Sequence, residues 1–256
     1  MAESVLKPIR NIDGYLPIED YGLVGDGTTA ALIGRDGALA WLCLPRFDSP
    51  PLFCSLLDVS RGGRLQIVPT DLRAAAQTYE QDSAVLVTDM ECATGRLRLR
   101  DLCPLVSGAD LSEDVPGTRR ELLRTATALE GTVRLRVEIE PRGGGEAEPR
   151  DGGLRIRCNA HPDLILYLFS TIPLTGLRSS ITLRAGQTLH ILLRWRQSHS
   201  HGAYFDGERL YQDTVAVWRR WLQTMRYDGP QQSLVRRSAI TLKLLDHFEN
   251  GAIVAA

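Results

Sequence analysis

The sequence predicts a mainly β chain folded as an antiparallel sandwich, with helices confined to its last stretch of about fifty residues. Three observations predict it. Several segments alternate apolar and charged residues with period two, which is the signature of a strand with one wet face. Glycine-bearing turns separate these segments at short spacing, with no helical pattern between them. After about Asp206 the spacing of apolar residues changes to that of a helix. We therefore expect a β-sandwich over residues 1–203, a helical linker over 204–230 and the start of a helical domain over 231–256.

The elements follow in chain order. Ala30–Ile33 and Ala38–Leu42 flank Gly34-Arg35-Asp36-Gly37, a hairpin with glycine where positive φ is needed. Arg96-Leu-Arg-Leu-Arg100 is a strand, and Thr94-Gly95 and Gly131 are expected turns beside it. In Thr132–Glu140 the residues Val133, Leu135, Val137 and Ile139 point one way and charged residues the other. Gly143–Gly153 is expected to be a long polar hairpin loop, and no helix follows those glycines to make them a phosphate cradle. Leu154–Arg157 alternates again, whereas Leu164–Phe169 is apolar throughout and must be covered on both faces.

The helical part begins with Leu210, Thr214, Val217, Trp218, Trp221 and Met225, one seam of a helix over about Asp206–Met225. Tyr227-Asp-Gly-Pro230 breaks it. A second helix is expected over Gln231–Glu249. Its apolar residues fall in two stripes: Val235, Ala239, Leu242 and Leu245, then Ile240, Leu244 and Phe248. Such a helix needs cover on more than one side, so the chain reads as ending just after the first element of a further domain. The uncovered side predicts a homodimer through this C-terminal helix, or poor solubility.

Composition excludes some functions. A net charge of −1 gives no basic face for nucleic acid. No apolar run approaches the roughly 20 residues that span a bilayer, so no membrane partner is expected. The opening residues lack the plan of a secretory signal, which makes the cytoplasm the expected compartment. The five cysteines are widely spaced, without the two-residue gap of a zinc knuckle or redox pair, and read as buried reduced thiols.

Chemistry is sparse. There is no Gly-x-Ser-x-Gly elbow, no phosphate-binding loop and no His-Glu-x-x-His helix. His199 and His201 have a spacing compatible with a metal, but no acidic or cysteine partner lies near them. His161, before Pro162, reads as a turn residue, His190 as a strand residue and His247 as lying near a helix end. The densest segment is Trp41-Leu-Cys-Leu-Pro-Arg-Phe-Asp-Ser-Pro-Pro51. Its prolines stiffen a loop presenting Trp41, Arg46, Phe47 and Asp48, a set suited to polyhydroxylated ligands through ring stacking and charged hydrogen bonds. The same residues also read structurally, with Trp41 and Phe47 as core plugs and Arg46–Asp48 as a local ion pair.

Pro17-Ile-Glu-Asp-Tyr-Gly-Leu-Val-Gly-Asp-Gly-Thr-Thr29 and Ala38-Leu-Ala-Trp-Leu-Cys-Leu-Pro-Arg-Phe-Asp-Ser-Pro50 closely resemble the opening of glucoamylase/trehalase-like proteins, the family 15 glycoside hydrolases. The match continues in Leu56-Leu-Asp58, Arg61-Gly-Gly63, Arg226-Tyr-Asp-Gly-Pro230, Arg237–Leu245 and Gly251–Ala256. Cys54 departs from the pattern without an evident consequence. The resemblance implies an N-terminal super-β-sandwich, a linker helix and the first helix of a truncated (α/α)6 barrel. In such proteins the barrel carries two catalytic glutamates and hydrolyses α-glucosides, trehalose included, with inversion. Those glutamates match no position here, so no catalytic residue, cofactor or metal is expected in this chain. The resemblance makes Arg46, Phe47 and Asp48 candidates for lining a sugar pocket or docking the barrel.

The expected function is thus the non-catalytic N-terminal portion of a trehalase- or glucoamylase-like hydrolase, with the barrel and a glucoside as partners. The alternatives are a free-standing carbohydrate-binding or assembly module, or an unrelated enzyme using a metal at His199 and His201.

Overall fold

A computed structural model of the chain describes residues 5–112, 117–196 and 204–254. Its strands, in chain order, begin with β1 (Lys7–Pro8), β2 (Tyr21–Gly25), β3 (Ala30–Gly34), β4 (Ala38–Cys43) and β5 (Pro51–Phe53). Next come β6 (Arg64–Pro69), β7 (Leu72–Tyr79), β8 (Leu86–Cys92), β9 (Gly95–Leu102) and the 20-residue β10 (Glu121–Glu140). Then follow β11 (Gly145–Arg150), β12 (Gly153–Cys158), β13 (His161–Ser170), β14 (Arg178–Arg184) and β15 (Thr188–Arg196). Two α-helices, α1 (Gly207–Gln223) and α2 (Gln232–Leu244), precede a small hairpin of β16 (Asp246–His247) and β17 (Ala252–Ile253).

All strand pairs are antiparallel. One sheet runs β1-β7-β8-β9-β10-β15-β13-β12-β11, and a second is built on β14, β10, β6, β4, β3 and β2. Strand β10 belongs to both. Its first half pairs with β9 and β15 and its second half with β6 and β14. The switch occurs at Gly131, where φ is +69° and a Cβ would lie 2.1 Å from the Thr94 carbonyl oxygen. Gly131 is therefore a kink inside one continuous strand, not the turn the sequence suggested, with a register shift just before it. The Gly143–Gly153 segment also differs from expectation. Gly145–Arg150 pairs fully with β12, so only its two ends are turns. His161 opens β13 instead of lying in a turn, and its Nε2 is 3.0 Å from the Pro51 carbonyl oxygen.

The core fills the space between the sheets. Val133, Leu135, Val137 and Ile139 from β10 meet Leu97, Leu99, Leu166, Leu168, Ile191 and Leu193 from the other sheet. The alternation that predicted these strands thus states which face is inward. The apolar stretch Leu164–Phe169 of β13 is covered on both faces, as expected. Leu166 and Leu168 face the sandwich, and Tyr167 and Phe169 join Leu123 and Leu192 under Leu210 and Val215 of α1. Helix α1 is capped by Asp206, whose Oδ1 accepts from Arg209 N at 3.0 Å.

Helix α2 ends five residues earlier than the apolar stripes suggested. Leu245 caps it, and Asn250-Gly251 (φ +68° at Gly251) turns the chain back so that Asp246–His247 pairs with Ala252–Ile253. The stripe containing Ile240 and Leu244 is buried with Leu105, Val217, Trp218 and Leu222. Leu234 and Leu242 remain 59% and 52% exposed.

One buried charge links the two sheets. Arg124, on β10, donates from Nε to Asp101 Oδ1 at 2.7 Å, from Nη1 to the Leu65 carbonyl at 2.7 Å and from Nη2 to the Gly37 carbonyl at 2.9 Å. Both side chains are 0% exposed. Arg124→Ala strands a buried carboxylate and two carbonyls, and denaturant unfolding is expected to show a loss of about 3–5 kcal/mol. The exposed Arg96–Glu130 pair is the control, and Arg96→Ala is expected to cost less than about 1 kcal/mol.

His190 lies on β15 beneath the start of α1, with Nδ1 3.0 Å from Thr125 Oγ1. Burial holds its pKa below the usual 6.5, against the opposing pull of Glu208 and Asp206. A depressed folded value means stability that is present above 6.5 and lost as pH falls through the folded value. Thermal melts between pH 7.5 and 5 are expected to show this loss, and His190→Gln to shrink it.

Candidate functional site

A turn at Asp26–Thr29 positions the site. The Asp26 Oδ1 accepts from Thr28 N at 3.0 Å, Thr28 Oγ1 at 2.6 Å and Thr29 N at 3.1 Å, and Oδ2 accepts from Thr118 Oγ1. An aspartate followed by glycine is suited to such a turn, and Gly27 takes φ +79°. The turn presents two carbonyls outward. Thr28 O accepts from Phe47 N at 2.9 Å, and Gly27 O accepts from Phe248 N at 3.2 Å. One buried carboxylate therefore fixes two segments about two hundred residues apart in the chain.

The first segment is the loop after β4. Ser49 N donates to Arg46 O at 3.1 Å and Ser49 Oγ accepts from Arg46 N at 3.1 Å, closing a tight turn. The Arg46 guanidinium grips the Asp48 carboxylate at 3.1 and 3.2 Å and lies 3.7 Å from Glu249. The second segment is the β16–β17 hairpin. Its His247 ring sits 5.9 Å from the Phe47 ring, tilted by 51°, and 5.9 Å from Phe248, nearly parallel at 11°. Between the two segments is an open cleft of about 270 Å³ lined by Phe47, Asp48, His247, Asn250, Ala252 and Val254.

The structure thus brings Arg46, Phe47 and Asp48 together at one rim. Arg46 and Asp48 form the local ion pair, and Phe47 is half-buried and lines the cleft. Trp41 is placed differently. It lies within β4 opposite Leu32, half-buried, and is not among the residues lining the cleft. His199 and His201 fall outside the described residues. Among the described residues, no group of three or more His, Cys, Asp or Glu side chains is arranged to hold a metal. Sequence reasoning passed over Asp26, His247 and Asn250. Asp26 had a local signal in Asp-Gly-Thr-Thr, whereas His247 and Asn250 reach the site only because α2 stops at Leu244.

The chemistry available is recognition. The Phe47 and His247 rings line the cleft, and the Asp48 carboxylate and Asn250 amide can hydrogen-bond hydroxyls there. Nearby Cys43 is no nucleophile, because burial, with lesser contributions from Cys54 and Asp48, pushes its thiol up to about 11.

The model of the trehalase-like N-terminal family matches residues 13–166, more than half of the chain. The chain belongs to the trehalase-like N-terminal family. Among its relatives, the trehalase of Mycobacterium tuberculosis (strain ATCC 25618 / H37Rv) is 30% identical over 284 residues, covering 100% of this chain and 41% of that protein. The trehalase of Mycolicibacterium smegmatis (strain ATCC 700084 / mc(2)155) is 31% identical, with 94% and 40% covered. That of Thermoplasma volcanium is 28% identical, with 96% and 40% covered. The chain therefore spans about two-fifths of the length of these relatives. A putative kojibiose phosphorylase from the human microbiome aligns with a TM-score of 0.31 and 8% identity, over 87% of this chain and 31% of that one. The Asp26 turn and the Arg46–Asp48 loop both fall within the matched trehalase-like N-terminal segment, whereas the hairpin lies beyond it.

Asp26→Ala removes the acceptor for four donors. Unfolding is expected to show a loss of about 2–3 kcal/mol, and hydrogen exchange to quicken across both 44–50 and 246–253. Asp26→Asn keeps one acceptor oxygen and is expected to fall between.

Proposed function

We propose that this chain is the non-catalytic β-domain portion of an α-glucoside hydrolase of the trehalase type, and that it packs on an (α/α)6 catalytic barrel and shapes the entrance to its active site. On this reading residues 1–203 are the β-sandwich, 204–230 the linker and 231–256 the beginning of the barrel. The observation that carries it is the cleft whose two walls come from the Arg46–Asp48 loop and the hairpin after α2. Family membership and relatives that are trehalases of more than twice the span support the rest. The ligand class is a glucoside, with Phe47 as the stacking face and Asp48 and Asn250 as partners for hydroxyls.

The exposed Leu234, Leu242 and Ile253 favour a covering surface. The barrel is the proposed cover, and a second copy takes its place when no barrel is bound. Among the described residues no helix is long and apolar enough to cross a membrane. All five cysteines are free and buried, the state that a reducing compartment maintains, and this supports the cytoplasm.

Calorimetry and NMR titration with trehalose and maltose test the reading. Weak millimolar binding is expected, with shifts at Phe47 and Asn250 that vanish in Phe47→Ala. Glucose released from either sugar by the purified chain would overturn the non-catalytic assignment. Light scattering is expected to show a dimer that Leu234→Glu with Leu242→Glu converts to a monomer.

A further inference from the structure

Beside the Asp26 turn, a partly open pocket of about 30 Å³ lies between Trp218 of α1, Lys243 near the end of α2 and Asp246 and Phe248 of the hairpin. Leu105 and Leu111 close its apolar sides, and Asp26, Trp218, Lys243 and Asp246 supply polar groups. Two independent features mark it. Its volume exceeds the ~10–15 Å³ that one water needs on this measure, and it is too small for an organic ligand. Trp218, 2% exposed, has an indole N–H that meets no acceptor among the described residues. Natural interiors rarely leave a buried donor in that condition. The Trp218 ring is packed with Leu105, Leu111, Val217 and Leu222, and Trp221 meets it edge-on at 5.9 Å and 87°.

We propose that this pocket is an ordered solvent site whose single water fastens α1 to the Asp26 turn. The polar groups around it match the bonding capacity of water. The Trp218 N–H and the Lys243 ammonium are donors, and the Asp26 and Asp246 carboxylates are acceptors. Lys243 Nζ already donates to Asp246 Oδ2 at 2.8 Å, which brings one donor and one acceptor to the same wall. Water accepts from the indole and donates to a carboxylate, and it is the only small species that does both here. A metal cation would have to face the indole N–H and the ammonium, both positive toward it.

The consequence reaches the cleft. Asp26 holds the turn whose carbonyls fix Phe47 and Phe248. A water bonded to Asp26 and Trp218 makes the position of both cleft walls depend on the docking of α1. This holds whatever ligand the cleft takes.

A high-resolution crystal structure of the full chain and Trp218→Phe, which keeps an aromatic ring and removes the donor with the pyrrole half of the indole, test it. One water peak is expected within about 2.7–3.2 Å of the indole nitrogen, with a water cross-relaxation signal at the indole proton. In Trp218→Phe, amide exchange at Phe47 and Phe248 is expected to rise about tenfold, the loss of roughly one hydrogen bond. A cavity without density, a peak with short metal–oxygen distances, or exchange unchanged in the variant would each overturn the proposal. If Trp218→Phe does not fold, the peak and the cross-relaxation signal of the natural chain decide it alone.

Discussion

The Arg124 guanidinium is the constraint on which the rest of the molecule depends. It sits on the half of β10 that belongs to one sheet, and its hydrogen bonds reach β6 and the β3–β4 turn of the other. Two sheets packed only through aliphatic side chains can slide, because dispersion and burial are non-directional. Two directed charge-assisted bonds across the interior, with Asp101 holding the guanidinium from its own sheet, remove that freedom. Apolar replacements of equal volume often match a buried ion pair in stability. The contribution of Arg124, held by Asp101, is therefore registry: its bonds to the Leu65 and Gly37 carbonyls fix where β6 and the β3–β4 turn lie relative to β9. The Asp26 turn hangs from the β2–β3 connection and the Arg46–Asp48 loop from β4, so the geometry of the cleft inherits that registry.

The helices are held by a second device, the hairpin between β7 and β8. Tyr211 donates to Glu80 at 2.6 Å and Arg219 lies 3.5 Å from the same carboxylate, so α1 is gripped there. Burial, reinforced by Glu80, pushes the Tyr211 phenol up to about 12, so it stays a donor throughout the neutral range. Helix α2 uses the other side of the hairpin. Arg236 reaches Asp82 at 2.8 Å, and Arg237 donates to the Ser83 carbonyl at 2.8 Å while lying 3.9 Å over the Tyr79 ring. Tyr79 in turn exchanges hydrogen bonds with both the N–H and the carbonyl of Leu23. One six-residue turn thus orients both helices against the sandwich, and α2 delivers the hairpin that forms the second wall of the cleft.

What was legible in the sequence follows from the range of each interaction. Val133 to Ile139 announce their inward face because period two is a local property of the strand and burial acts residue by residue. The passage of β10 between sheets was not legible. Gly131 carries the same letter whether it ends a strand or kinks one, and only the Thr94 carbonyl 2.1 Å from its virtual Cβ decides. The end of α2 was misplaced because Phe248 continues the helical period of Ile240 and Leu244, yet it sits half-buried in the hairpin instead, with its N–H on Gly27. At the site, the Arg46–Asp48 loop was visible through its prolines and charges, whereas His247 and Asn250 became site residues only through contacts with residues some two hundred positions away. Arg124 looked like any charged residue on the wet side of a strand, because nothing near it in sequence says that a second sheet covers it.

The cleft itself argues for a partner. Binding any free ligand carries a loss of translational and rotational freedom of about 4–15 kcal/mol. Against this, one half-open ring face contributes about 1 kcal/mol beyond area, and each exposed neutral hydrogen bond about 1 kcal/mol net. Arg46 and Asp48 are 50% and 68% exposed, so solvent screens the charge-assisted bonds they offer. A one-sided surface of this kind leaves most of a ligand's other face in water. Strong and selective recognition requires a second surface that buries the opposite face and excludes solvent, which makes each of these hydrogen bonds stronger. Val254 lines the cleft while remaining exposed, with the exposed Ile253 beside it in sequence. A surface closing over the cleft from that side would bury apolar side chains and the proposed glucoside together, so on that reading ligand affinity and domain docking would share one free-energy source.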